Sequence, residues 1–229
     1  MSESVVAPSM TEVKKSWFET FNGPSIVLEE RIGSRLVSNF FRRTFEITSR
    51  NAFFISVMGR VLLGEDQVQQ PEMHLRNTLT NAIKEIDNKI IAAKALMMNE
   101  GIEKMAVYEN SEPVQVRIVS PIAKEYFMLL KKSEEYLVYV NTLWLHGAID
   151  ERQRTGSELE LKKRLRAVVA SARNMFIHLR KKANERNVAP AADSADSKAD
   201  KADKADKADK ADKAGADTVA EMEDVKQVA

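Results

Sequence analysis

Cysteine is absent from the 229 residues of the sequence. Disulfides, thiolate zinc sites, iron–sulfur clusters and cysteine nucleophiles are therefore excluded, and the composition is typical of a reducing compartment. Long apolar runs are missing too, because the longest, near residues 52–63, is interrupted by Ser56, Gly59 and Arg60. The first ten residues have neither a basic nor an apolar segment, so no signal peptide is expected. These absences predict a cytoplasmic protein with no membrane partner.

Patterns of catalytic and ligand-binding residues are also missing. The eight glycines are scattered and form no phosphate-binding loop, and no serine lies in a nucleophile elbow. The three histidines lie in separate segments without the spacing of metal ligands: His74, His146 and His178. We therefore expect a protein that is not an enzyme and that uses no cofactor, metal or small-molecule ligand.

The net charge of +1 conceals an uneven distribution of charge. Residues 31–60 contain six arginines and one glutamate, and residues 150–186 contain eleven basic and five acidic side chains. Residues 190–229 are acidic on balance, with seven lysines against nine aspartates and two glutamates. Local positive charge of this kind is compatible with binding to a polyanion, although basic runs are also typical of solvated helix faces.

The distribution of apolar and charged residues divides the chain into three segments. Residues 1–24 are predicted to be a flexible N-terminal arm that can dock through Trp17, Phe18 and Phe21. Residues 25–186 are predicted to form one helical domain. Residues 187–229 are a low-complexity tail of repeated Lys-Ala-Asp units, which is expected to be disordered because it has almost nothing apolar to bury. The predicted fold class is mainly α, with one short β-ribbon.

Four helical segments are predicted in the domain. The first covers residues 31–63, after a candidate short strand at Ser25–Glu30. The second covers Pro71–Glu100 and repeats apolar residues in a seam from Leu75 to Met97, which can pack within the chain or against a second chain. The third begins at Ser120-Pro121, an N-cap followed by the preferred first residue, and has only a weak candidate for a break at residues 133–134. The fourth is predicted to begin at a capping box, Ser157 and Glu160.

The strand at residues 114–119, VQVRIV, alternates apolar and polar side chains. Its apolar residues would face the helices, so Gln115 and Arg117 would face outward. An antiparallel ribbon fits the major groove of DNA, where arginine pairs with guanine and glutamine with adenine. The ribbon requires a second strand, either from a second chain or from Ser25–Glu30. The same pattern is also typical of an ordinary edge strand on a helical domain.

Three stretches resemble a family of proteins encoded by conjugative plasmids and integrating conjugative elements. They are EERIGSRLVSNFFRR (29–43), SPIAKEYFMLL (120–130) and LVYVNTLWLHGAIDER (137–152). The resemblance extends over Ser25–Arg186 and leaves the tail outside. It implies a ribbon–helix–helix-related regulator in an enlarged variant, which binds promoter DNA as a homodimer and activates conjugative transfer genes.

The residues of the expected site divide into two groups. Gln115 and Arg117 would read bases. Phosphate contacts are expected from the start of the helix after the strand, from the basic last helix if the preceding helix is unbroken, and from one arginine pair: Ser120, Lys124, Lys162, Lys163, Arg166, Arg42 and Arg43. Two other functions are compatible with the same residues. One is a helical scaffold of the transfer machinery that dimerises through the seam at residues 75–97, and the other is nonspecific DNA handling.

Overall fold

The computed structural model describes residues 16–188, with side chains placed as far as residue 186. Over that range the chain is mainly helical and carries one two-stranded antiparallel sheet, as the sequence predicts. The elements are α1 (Trp17–Thr20), β1 (Ile26–Ile32), α2 (Arg35–Phe53), a π-helical turn (Phe54–Met58), α3 (Gly59–Leu63), α4 (Glu65–Asn99), β2 (Glu112–Ile118), α5 (Pro121–Leu145) and α6 (Glu151–Val188). Most of the predicted arm, and the Lys-Ala-Asp tail beyond residue 188, lie outside the described residues.

Helix α5 is the centre of the fold and begins where the sequence predicts. The Ser120 hydroxyl accepts a hydrogen bond from the Ala123 N–H at 3.2 Å, and Pro121 occupies the first helical turn. The helix runs unbroken through Ser133, whose hydroxyl donates to the Leu129 carbonyl. It ends at Leu145, and His146 is its C-cap. Gly147 then adopts the left-handed conformation, while the Ala148 N–H bonds back to the Leu143 carbonyl.

The seam on α4 is buried inside this chain. Leu75, Leu79 and Ile86 are at most 2% exposed and belong to the same apolar core as α5. The seam is therefore unavailable to a second chain, and the predicted alternative of dimerisation through it is wrong. The helix also begins earlier than predicted, at Glu65 after the positive-φ Gly64, and continues through Pro71.

The start of α6 differs from the prediction. Asp150 and Gln153 form the capping box, since each side chain accepts a hydrogen bond from the other residue's backbone N–H, at 2.7 and 2.9 Å. Ser157 and Glu160 lie inside the helix. Both pairs match the capping-box pattern. The chain turns at Gly147, and Asp150 and Gln153 are the first such pair after that turn, so the helix begins with them.

The arginine-rich segment after β1 also begins later than predicted. The strand continues to Ile32, so α2 begins at Arg35. Gly33 lies between the two elements and must lack a side chain, because an added Cβ would lie 2.8 Å from ring atoms of Tyr108. Among the aromatic side chains of α2, Phe45 is a core residue, as predicted: it is 2% exposed and stacks against Tyr126 of α5. Phe40 and Phe41 are half-buried and pack against the same core.

The predicted docking of the N-terminal arm is confirmed for its described part. Trp17 and Phe21 contact the ring of Phe53, with centroids 6.2 and 5.0 Å away, and Phe18 contacts Phe45 at 6.1 Å. The Trp17 N–H donates to the Glu46 carboxylate at 2.6 Å. These contacts hold α1 against α2.

Candidate nucleic-acid interface

The β-ribbon is formed within one chain. Strand β1 pairs antiparallel with β2, and the register places Leu28 opposite Val116 and Glu29 opposite Gln115. Of the two predicted sources for the second strand, the structure therefore has the segment near residues 25–30. A second chain is not needed to complete the ribbon. Because side chains alternate along a strand, the ribbon has two faces with different composition.

The inner face of the ribbon is mainly apolar and is buried over part of its length. It consists of Ile26, Leu28, Glu30, Ile32, Glu112, Val114, Val116 and Ile118, of which Ile26 and Glu112 are exposed. Ile32, Val116 and Ile118 are at most 7% exposed and join the core around α5. Burial on this side fixes the register, since a slip by one residue would move the apolar side chains to solvent.

Two residues of α5 anchor the ribbon from below. The Lys131 ammonium lies 3.3 Å from the Glu30 carboxylate and donates to the Arg31 carbonyl at 3.4 Å. The Glu134 carboxylate accepts hydrogen bonds from the N–H groups of Gly33 and Ser34, at 2.5 and 3.3 Å. The ribbon therefore lies along the first half of α5 in a defined orientation.

The outer face of the ribbon carries the polar side chains. It consists of Val27, Glu29, Arg31, Pro113, Gln115 and Arg117. Five of these residues are exposed, and Arg117 is half-buried. The outward direction predicted for Gln115 is therefore the one in the structure, supported from below by a packed inner face.

Arg117 differs from Gln115 because it already has a partner. Its guanidinium donates to the backbone carbonyl of Phe18, in the docked arm. The contact joins residues 99 positions apart in the sequence, so the alternation of β2 could not indicate it. This bond uses one of the five N–H donors of the guanidinium and ties the side chain to the arm.

Ser120 and Lys124, at the start of α5, are both predicted to contact phosphates, but they differ in exposure. Ser120 is 6% exposed, and its hydroxyl is engaged in the helix cap. Lys124, in the first turn of the helix, is exposed. Lys124 is therefore free to approach a phosphate, whereas the Ser120 hydroxyl is not presented to solvent.

The arginine pair on α2 lies near the other end of the ribbon. Arg42 bonds to Glu112, the first residue of β2, at 2.5 Å, and the Ser38 hydroxyl donates to the same carboxylate at 3.0 Å. Arg42 and Arg43 are both exposed. The structure thus brings Arg42 to the ribbon, where its charge is paired with Glu112.

The basic residues predicted on α6 are not linked to the ribbon. Lys163 and Arg166 are exposed and Lys162 is half-buried. Their neighbours Glu160 and Arg164 form ion pairs with Lys89 and Glu85 of α4. Between residues 16 and 186, no hydrogen bond or ion pair joins α6 to β1 or β2, so this basic surface is held by α4 instead.

The sequence analysis missed Glu29 and Arg31. Both are exposed on the outer face, but IVLEERI has three apolar residues followed by three charged ones and does not alternate as VQVRIV does. Their outward direction follows only from the pairing of β1 with β2.

The residues that the structure describes contain no candidate metal site and no candidate membrane span. Within residues 16–186 no three or more His, Asp or Glu side chains lie close enough together to hold a metal ion. None of the helices in that part of the chain combines the length and the apolar character needed to cross a bilayer.

The fold is that of a known crystal structure, selenomethionine-containing AcaB from uropathogenic E. coli. The two chains are 24% identical, the match covers 75% of this chain and 91% of AcaB, and the TM-score is 0.68. The likeness supports the mainly helical fold with one two-stranded antiparallel sheet. No protein-family profile matches the chain. No curated protein sequence matches it either.

Proposed function

We propose that the protein is a sequence-specific DNA-binding regulator, and that the outer face of the β1–β2 ribbon enters the major groove. One observation carries the proposal: polar side chains occupy the exposed face of a ribbon whose opposite face is packed and whose register is fixed. An antiparallel two-stranded ribbon has the width to enter the major groove, and alternate side chains then meet base edges. The exposed position of Gln115 on the outer face supports such contact.

The regulated process is proposed from the comparisons. The fold shared with AcaB, together with the resemblance of residues 25–186 to proteins of conjugative elements, supports a role in controlling conjugative transfer genes. Activation and homodimerisation belong to the same proposal. Since each chain has a complete ribbon, a dimer would place two ribbons on two half-sites of one promoter.

Phosphate contacts are proposed to supply affinity. Lys124 of α5 and Arg43 of α2 are exposed on the helices that support the ribbon. Arg42 of α2 lies at the end of the ribbon, where it pairs with Glu112. Backbone contacts position a protein on DNA without reading its sequence, while base contacts provide discrimination. Lys163 and Arg166 would serve as backbone contacts only if the bound DNA reaches α6. No chemical step is proposed.

A binding experiment tests the proposal. Duplexes are enriched from a randomised pool by the full chain, and the enriched duplex is compared with its shuffled version by fluorescence anisotropy over a salt series. We expect the enriched duplex to bind about a thousandfold more tightly, the lower end for specific regulators. Equal affinities with a steep salt dependence would assign nonspecific DNA handling instead, and no binding to either duplex would contradict DNA binding altogether.

A further inference from the structure

The outer face contains two arginines, one on each strand, in different environments. Arg117 on β2 is half-buried and donates to the Phe18 carbonyl. Arg31 on β1 is exposed and lies opposite Pro113. Within residues 16–186, its guanidinium makes no hydrogen bond or ion pair, while its backbone carbonyl is fixed by Lys131. Arg31 is therefore a positioned arginine with a free head group.

Glu29 lies beside Arg31 on the same face. It is directly opposite Gln115, where cross-strand Cβ atoms are about 5 Å apart. Its neighbour Glu30 faces the other way and pairs with Lys131, so that lysine does not neutralise Glu29. A carboxylate accepts hydrogen bonds and cannot donate them, so in a groove it is compatible with an amino group and not with the acceptors of guanine.

We infer that Arg31 and Glu29 are specificity-determining residues of the ribbon, with Arg31 reading guanine and Glu29 reading cytosine. The inference rests on the proposed function. Arginine pairs bidentately with guanine O6 and N7, and glutamate accepts from cytosine N4. Residues two apart on a strand are about 7 Å apart, close to two base-pair steps of about 3.4 Å each. The recognised sequence therefore contains a guanine and a cytosine within about two steps of each other.

If Arg31 and Glu29 read bases, β1 contributes to discrimination among DNA sequences as well as β2. Gln115 lies at the centre of the face, with Glu29 across from it and Arg31 diagonal to it. These three side chains form one contiguous polar surface. Arg117 lies at the opposite end, beside Val27, and is held by the arm. Loss of Arg31 is therefore expected to reduce specificity more than loss of Arg117.

The experiment uses full-length variants and the randomised duplex pool. Arg31→Ala is expected to reduce discrimination between the enriched and shuffled duplexes roughly 5- to 150-fold. Glu29→Gln is expected to replace cytosine by adenine at one position of the enriched sequence, because glutamine pairs with adenine. Arg173→Ala, which removes an exposed arginine of α6, is the matched control for lost charge and should leave discrimination unchanged. Thermal melting of each variant should match the wild type, since both β1 side chains are exposed.

The outcomes separate this inference from the proposed function. If the wild type enriches a sequence but Arg31→Ala and Glu29→Gln enrich the same sequence with equal discrimination, the readout roles of β1 are wrong and the DNA-binding function stands. If the wild type enriches no sequence, the proposed function fails first. A changed base preference for Glu29→Gln at one position supports the inference directly, because a merely structural role would not move it.

Discussion

The inner and outer faces of the β1–β2 ribbon are built from alternate residues of the same two strands, yet they are constrained by different parts of the molecule. Ile32 and Val116, on the inner face, are at most 1% exposed against the core around α5. Glu29 and Gln115, on the outer face, are exposed. Stability is therefore expected to depend on the first pair and discrimination among DNA sequences on the second.

The difference between the two faces explains why the outer face can be polar. The register is fixed by burial below and by the bonds from Lys131 and Glu134, so the outer side chains do not have to contribute to folding. A rigid support of this kind is what a binding face requires, because the contacting groups are placed before the ligand arrives. Changes on the two faces should accordingly separate folding from binding.

The largest effect is expected from the inner face. Ile32→Ala removes a fully buried side chain and should lower the free energy of unfolding by about 2–5 kcal/mol. The measurement is urea denaturation followed by circular dichroism. Val27→Ala, on the outer face and 52% exposed, is the control and should stay within about 0.5 kcal/mol of the wild type. Similar losses for both variants would contradict the separation of the faces.

Alkaline pH provides a second test of the buried side. Burial raises the pKa of Tyr126 to about 12, although its hydroxyl also shares a 2.7 Å hydrogen bond with Thr44. The folded state thus favours the protonated phenol. The contribution of this raised pKa to the free energy of unfolding is fully present below pH about 10, the pKa of an unfolded tyrosine. It is lost as the pH rises to about 12.

The loss should amount to roughly 3 kcal/mol, at about 1.4 kcal/mol per unit of pKa. Urea denaturation from neutral pH to above pH about 11 measures it. Tyr126→Phe should show a flatter dependence in this range. Burial also raises the pKa of Tyr108, so some alkaline loss remains in that variant. A profile for Tyr126→Phe as steep as that of the wild type would show that Tyr126 is not the group responsible.

The next effect is on binding alone. Gln115→Ala should reduce discrimination between the enriched and shuffled duplexes by about 1–3 kcal/mol, because it removes a base-edge contact. The melting temperature should not change, since Gln115 is exposed. Fluorescence anisotropy and thermal melting of the same preparation test both statements. A variant with lower stability and unchanged discrimination would reverse the proposed division between the faces.

The smallest effect is expected from α6. Lys163→Ala and Arg166→Ala should each lower the slope of log affinity against log salt by about 1 if they contact phosphates, with equal loss on every sequence. Arg180→Ala, further along the same helix and also exposed, is the control. An unchanged salt dependence would show that these α6 residues do not contact the DNA. That result would agree with the absence of bonds between the described side chains of α6 and the ribbon.

Local signals in the sequence were sufficient for much of the fold. The alternation of VQVRIV predicted the strand β2, which begins two residues earlier and ends one residue earlier than residues 114–119. The Ser120-Pro121 pair predicted the start of α5, because a helix cap depends only on neighbouring residues. The seam of α4 was also recognised, although periodicity alone could not tell packing within the chain from packing against a second chain. Its burial against α5 decides that question.

Local patterns leave two possible capping boxes for α6, because Ser157 and Asp150 each have a suitable partner three residues later. Long-range contacts account for the other features that the sequence does not indicate. The alternation of β2 predicts a free Arg117, since its partner, Phe18, lies in a distant arm. The pairing of Glu29 with Gln115 required the register of two strands far apart in the chain. Such features are set by tertiary packing, which period and propensity do not encode.

The most direct test of the account combines three changes on the outer face. Glu29, Arg31 and Gln115 are replaced together by alanine, and the affinities for the enriched and shuffled duplexes are compared at near-physiological salt. The account predicts a wild-type ratio of about a thousand, a ratio near one for the triple variant, and the same melting temperature for both proteins. A triple variant that is folded and still prefers the enriched duplex as strongly as the wild type would contradict readout by the ribbon.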